Sequence, residues 1–287
     1  METANAGYLP IDDKGIDSSL LYDLAARCGF KVLTAKDGGR VLYKLKKLGI
    51  PCERLYTREE KSTFNFIDIA DLHIGDENCE VSKIRAVLEY AVKNNVEYIF
   101  IAGDIFNGVT EKNRDNVKDV FSKQLDIAVS IFRKFPVKIF ALPGNHEFTF
   151  DYMGVTRPLR MLEERLKDEK CDFQAFDGYI QDFEMAGVIK RMMHLEEFYH
   201  HDKTFAAIQR LYTFEANGGL NVKGSDGKKR PIRFLQCGHI HKTIEIYNSD
   251  FNVYISQPGS FVRGQNYYMP FIHVKGEVTD DLRILRG

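Results

Sequence analysis

Between residues 63 and 142, short apolar runs alternate with stretches of helical periodicity. Phe64–Ala70 (FNFIDIA), Val96–Ala102 (VEYIFIA) and Val137–Leu142 (VKIFAL) are of strand length and rich in β-branched and aromatic residues. Between them, Glu80–Asn94 sets Val81, Ile84, Leu88, Ala91 and Val92 on one helical stripe. Glu111–Phe135 does the same with Val117, Val120, Phe121, Ala128, Ile131 and Phe132. Strand, helix, strand, helix, strand predicts βαβ units and a sheet covered on its faces. The later part reads strand-rich, at Arg233–Cys237, Phe251–Ile255, Pro270–Val274 and Leu282–Leu285, with Gly218–Arg230 as a polar loop. The fold class is therefore α/β with a β-heavy second half.

Residues 1–62 show another pattern. Ser18 or Ser19 would cap a helix carrying Leu20, Leu21, Leu24 and Ala25, which Gly29 breaks. A second helix is expected from about Thr34, with Val41, Leu42, Leu45 and Leu48 recurring, Gly49 as its cap and Pro51 beyond. The expected organisation is a small helical module at 1–62 and one larger domain at 63–287.

Composition narrows the class. In 287 residues, 44% are hydrophobic, which is enough for a core and excludes wholesale disorder. A net charge of −1 excludes a globally basic nucleic-acid binder, but the charge is uneven. Residues 27–58 hold nine basic side chains against Asp37 and Glu53. Arg40, Lys44 and Lys47 there, with Arg263 further on, are candidate phosphate contacts of a helix-turn-helix-like element, set against a plain solvated face. The five cysteines form no CxxC pair, so a disulfide scaffold is not expected. No membrane span and no secretory start are visible, and a cytoplasmic protein is the expectation.

The chemistry lies just past the strands. Asp71-Leu72-His73 follows the first run, Gly103-Asp104-Ile105-Phe106-Asn107 the second and Pro143-Gly144-Asn145-His146-Glu147 the third. Gly238-His239-Ile240-His241 follows a later one. Loops beyond the carboxyl ends of strands are where α/β sheets gather ligand-binding groups. Carboxylates with imidazoles suit Mn, Fe or Zn, and an aspartate such as Asp104 can bridge two ions. One such cluster alone means nothing; four in this order point to a two-metal centre.

The order DLH, GDIFN, GNHE, GHIH resembles the calcineurin-like metallophosphoesterase superfamily, with Gly259-Ser260 resembling its glycine-serine turn. The resemblance implies a four-layer α/β/β/α sandwich and two divalent ions, with manganese expected first and Fe, Zn or Mg as alternatives. It implies that Asp71, His73 and His241 hold one ion, that Asp104 bridges, and that Asn145 and His239 hold the second with one further histidine. His194, which follows the β-compatible run GVIKRMM, is chosen for that role over His200 and His201. It further implies that a water attacks phosphorus while His146 assists the leaving oxygen, and Glu147 is expected to orient His146. ADLHIG and AGDIFN resemble the motifs of SbcD-type DNA repair exonucleases, so a DNA or RNA nuclease is expected. A small-phosphoester phosphatase or phosphodiesterase is the alternative, and an inactive binding protein of the same fold the third reading. Nucleic acid is the expected partner and a homodimer stays open. An ATPase partner is not supported, since little chain follows the second sheet.

Overall fold

The computed structural model describes residues 9–10, 30–37, 40–47, 52–55, 63–185, 188–194, 220–224, 226–265, 268–275 and 278–286. The chain divides into two compact units, Met1–Pro51 and Cys52–Gly287. The expected boundary lies eleven residues further on, after residue 62 instead of Pro51, but β4 (Cys52–Arg54) pairs in parallel with a strand of the larger unit.

In the smaller unit the described residues are strands, not helices. β2 (Phe30–Asp37) and β3 (Arg40–Lys47) form an antiparallel hairpin, with β1 (Leu9–Pro10) on the other side of β3. The register pairs Asp37 with Arg40. The glycine pair that separates the two strands in sequence would cost the predicted helix about 1 kcal/mol per residue. The other predicted helix, at 18–29, lies outside the described residues.

In the larger unit, one sheet runs in the order β16 (Val278–Arg286), β15 (Tyr268–Lys275), β5 (Thr63–Ile69), β6 (Tyr98–Ala102), β7 (Lys138–Leu142), β8 (Asp172–Ala175). β5 to β8 are parallel. Helices α1 (Val81–Lys93), α2 (Val117–Phe132), α3 (Asn145–Tyr152) and α4 (Pro158–Leu166) connect its strands, and residues of α1, α2 and α4 join Ile67, Ile69, Ile99, Ile101 and Ile139 in one buried cluster. The predicted second helix starts later than expected, at Val117 after a 3₁₀ turn at Arg114–Asn116.

The second sheet runs β13 (Thr243–Asn248), β14 (Val253–Pro258), β12 (Lys229–Gly238), β10 (Val188–His194), β9 (Ile180–Met185), β4, with β11 (Asn221–Lys223) beside β12. Part of the stretch read as a loop, 218–230, is therefore strand. β10, β12 and β14 are parallel. The two sheets stack through Phe66, Phe100 and Phe140 on one side and Phe183, Met192 and Phe234 on the other. Helices, sheet and sheet are three of the four expected layers; residues 195–219, between β10 and β11, lie outside the described ones.

The seam between the sheets carries polar pins. Gln236 Nε2 donates to the carbonyls of Ile69 and Phe100, both at 2.9 Å. Lys190 Nζ reaches Asp68 Oδ1 at 2.7 Å and lies 4.7 Å from the ring centroids of both Phe66 and Phe100. Both ions of this pair are buried. Lys190→Met should therefore lower stability in urea unfolding by about 3–5 kcal/mol, because Asp68 is left an unpaired buried charge. Replacing both residues by apolar ones should restore most of the loss, and failure to restore it would mean the pair contributes net attraction.

Candidate metal centre

The parallel strands of both sheets end at one rim. β5 leads to Asp71 and His73, β6 to Asp104, β7 to Asn145 and His146, β10 ends on His194, and β12 leads to His239 and His241. Asp71, His73, Asp104 and His239 all hold positive φ, at 53°, 49°, 53° and 84°. Non-glycine residues avoid that region, so the surrounding bonds must hold it. Asp71 N donates to Gly103 O at 3.0 Å and His73 N to Asp104 O at 3.0 Å. Ser260 Oγ donates to Asp71 O at 2.9 Å. At Gly238 a Cβ would strike the Ala102 carbonyl, and at Gly144 it would strike the Asp104 carboxylate, so only glycine lets the loops approach this closely.

The seven predicted donors converge. His73 Nε2 faces His241 Nε2 at 2.9 Å, and an Asp71 oxygen lies 3.6 Å from that same His241 nitrogen. Asn145 Oδ1 lies 3.0 Å from His194 Nε2 and 2.8 Å from His239 Nδ1. His194 Nε2 is 3.4 Å from Asp104 Oδ2. Among the described residues, three groups have their ligand atoms within 4.8 Å of one another: Asp71–His73–His241, His73–Asp104–His146 and Asp104–His194–His239. Asp104 belongs to two of them, the position a bridge requires. His194 Nδ1 lies 2.8 Å from the Ala102 carbonyl, which can only accept, so Nδ1 carries the proton and Nε2 turns to the centre.

Charge makes the same case. Asp71 and Asp104 are 0% and 1% exposed, and among the described residues their ion-pair partners are His241 and His194, with no lysine or arginine. Two carboxylates so buried need cations. Burial raises the Asp71 carboxyl well above the usual range, and the charge of Asp104 adds to this against the pull of His194. Burial also opposes ionisation of Asp104, yet the charge and hydrogen bond of His194 hold it below the usual range. Burial lowers His73 to about 3, so its ring is a neutral donor at neutral pH. Burial works against charge on His194 too, but Asp104 outweighs it and pushes the ring up to about 10. A proton on His194 thus stands where a cation would stand, and the donor set of nitrogen and carboxylate oxygen fits two divalent ions.

An ion entering at neutral pH must displace that proton. Metal affinity should therefore rise with pH between about 6 and 8, and binding should release protons, as calorimetry in buffers of different ionisation enthalpy would register. Affinity independent of pH across that range would contradict the assignment.

His146 and Glu147 part company here. His146 Nδ1 lies 2.6 Å from the Asn107 carbonyl, so Asn107 fixes its tautomer and leaves Nε2 as the working nitrogen. The expected partner, Glu147, instead accepts the backbone N–H groups of Asp104 (3.0 Å), Phe106 (2.8 Å) and Gly144 (2.7 Å). It positions the loops after β6 and β7 and does not touch the His146 ring. Three peptide N–H groups as targets leave no mark in a sequence, which is why this role was missed. His146 N also donates to Asp104 Oδ1, at 2.9 Å.

The centre opens into a cavity of about 370 Å³ whose lining includes His146, His239, His241, Lys242 and Gln265. Arg263 is exposed, and its backbone N–H donates to Asn78 O at 2.8 Å. Arg40, Lys44 and Lys47 all lie on β3, in the smaller unit. His200 and His201 lie outside the described residues. Among the described residues, no helix is long and apolar enough to cross a membrane.

A family model described as calcineurin-like phosphoesterase matches residues 64–243. A Coxiella burnetii protein named "Probable cyclic nucleotide phosphodiesterase" is 29% identical over 94 residues, 31% of this chain and 34% of that protein. The Archaeoglobus fulgidus DNA double-strand break repair protein Mre11 is 29% identical over 92 residues, 29% of this chain and 19% of that protein. The matches thus span about a third or less of these relatives. A solved archaeal phosphodiesterase is similar with a TM-score of 0.42 and 14% identity, over 78% of this chain and 100% of that one.

Proposed function

This chain belongs to the calcineurin-like phosphoesterase family, and from that premise we propose that it is a metal-dependent phosphodiester hydrolase acting on nucleic acid, DNA first. The observation that carries the hydrolase reading is the overlap of three donor groups through Asp104 and His73, with His146 in one of them and at the rim of the cavity. The motif resemblance and the Archaeoglobus relative favour DNA as substrate.

Two divalent ions, manganese by preference, would be held by Asp71, His73 and His241 and by Asn145, His194 and His239, with Asp104 between them; when bound they supply an activated water and neutralise charge at phosphorus. The chain's own residues do the rest. The Asn107 carbonyl holds the His146 ring through Nδ1, and Nε2 is left to give a proton to the departing oxygen. Glu147 keeps Asp104 in its strained backbone conformation by accepting its N–H. Gln236 and Ser260 tie the strand ends so that both donor sets keep their spacing.

The Coxiella relative and a cavity of about 370 Å³, the size of a small-ligand site, favour a second reading, a phosphodiesterase for nucleotides or other small phosphoesters. An inactive binding protein has no use for a complete donor set. The deciding experiment is Mn²⁺-dependent digestion of labelled single- and double-stranded DNA beside a chromogenic diester. Cleaved DNA supports the nuclease, and dye turnover with intact DNA replaces it by the second reading. Binding to DNA should weaken steeply with salt, and Lys44→Ala should reduce the slope of log K against log salt by about 1. An unchanged slope would remove Lys44 from the phosphate contacts.

A further inference from the structure

A second cavity, of about 440 Å³, lies beside the metal centre, between α3 and the loop that follows β6. Both of its walls continue segments that build the centre. The loop begins at Asn107, which holds His146, and α3 begins at Asn145 and His146 themselves. The two walls are tied together at one residue: Val109 N donates to Thr149 Oγ1 at 2.7 Å, and Thr149 Oγ1 donates to His146 O at 2.7 Å. At 1.5 Å rise per residue, Thr149 and Tyr152 stand roughly 5 and 9 Å along the helix from His146.

The chemistry of the two cavities differs. The one at the centre is lined by imidazoles, amides and Lys242. This one has Val109, Phe148, Tyr152 and Met153 as apolar wall, with Glu111, Arg114 and Asp115 at its edge. Tyr152 is 67% exposed and Met153 40%, a large aromatic and a thioether left in water next to a phosphoester-cleaving centre.

We infer that this cavity is the nucleobase subsite of the enzyme, with Tyr152 as the stacking face for the base next to the scissile phosphate. The inference rests on the phosphodiesterase reading above and deepens it. A flat ring against Tyr152 gains stacking that every base can offer. Glu111 and Asp115 can accept from exocyclic amino groups, and Arg114 can donate to carbonyl or ring-nitrogen acceptors. A phosphate in the polar cavity and its base in the apolar one would lie either side of His146, so one nucleotide occupies both.

Two esters with the same leaving group test it: thymidine 5′-(p-nitrophenyl phosphate) and methyl p-nitrophenyl phosphate. The wild type should prefer the thymidine ester in kcat/KM. In Tyr152→Ala that preference should fall roughly tenfold to a hundredfold, and in Tyr152→Phe it should stay. An undiminished preference in Tyr152→Ala overturns the subsite, and if the same variant also changes oligomeric state, the face belongs to a second copy of the chain. A wild type that turns over neither diester overturns the phosphodiesterase reading. The subsite is then decided by saturation-transfer NMR with thymidine 5′-monophosphate: base protons saturated by the wild type and not by Tyr152→Ala support it, and no difference overturns it.

Discussion

Asp104→Asn should leave the protein folded with fewer than two bound ions and with turnover reduced about a thousandfold or more, since several kcal/mol of charge stabilisation go with the bridge. The geometry makes this the most damaging single change. The Asp104 carboxylate belongs to two of the three donor groups, one Oδ receives the His146 N–H and the other lies 3.4 Å from His194. An asparagine keeps the shape but removes the charge that holds His194 and offers only one ligand oxygen. Metal content by elemental analysis, beside activity, checks it. Two ions retained in Asp104→Asn would refute the bridge.

His146→Ala should behave differently: metal content kept, kcat down by roughly 10²–10⁴. His146 is partly exposed at the cavity rim, and the Asn107 carbonyl leaves its Nε2 free for a substrate oxygen. A leaving group that needs no protonation should recover much of the loss, so a p-nitrophenyl ester should suffer far less than a DNA phosphodiester. Equal losses on both would show that His146 stabilises charge at phosphorus without giving up a proton. Loss of an ion in this variant would make it a ligand instead, a role its membership of the His73–Asp104–His146 group leaves testable.

The centre was legible in sequence because its parts sit at strand ends. An apolar run fixes a strand, the strand fixes where the next polar residue stands, and four such placements restrict one another. Even His194 carried a signal, since a β-compatible run leads into it and β10 ends on it. The hairpin at 30–47 carried two signals that conflicted. Val41, Leu42 and Leu45 satisfy a helical period, while Val41, Tyr43 and Leu45 satisfy a strand period, and the glycine pair at 38–39 decides for the strand. Glu147 read as a partner for its neighbour, yet its targets are backbone N–H groups 41 and 43 residues upstream and at Gly144. Phe148 and Tyr152 show as one helical stripe, and only the loop opposite them turns that stripe into a cavity.

The donors come from both leaves of the sandwich. Asp71 and His73 meet His241 across the seam, and Asp104 meets His194 and His239 across it. Each ion would therefore act as a rivet through two sheets, and the sheets could not slide past one another without tearing both coordination shells. Chelation should loosen the protein along that plane first, exposing the amides of β6 and β12 to exchange before those of α2. Added metal should tighten the same plane by an amount that grows with the logarithm of its concentration.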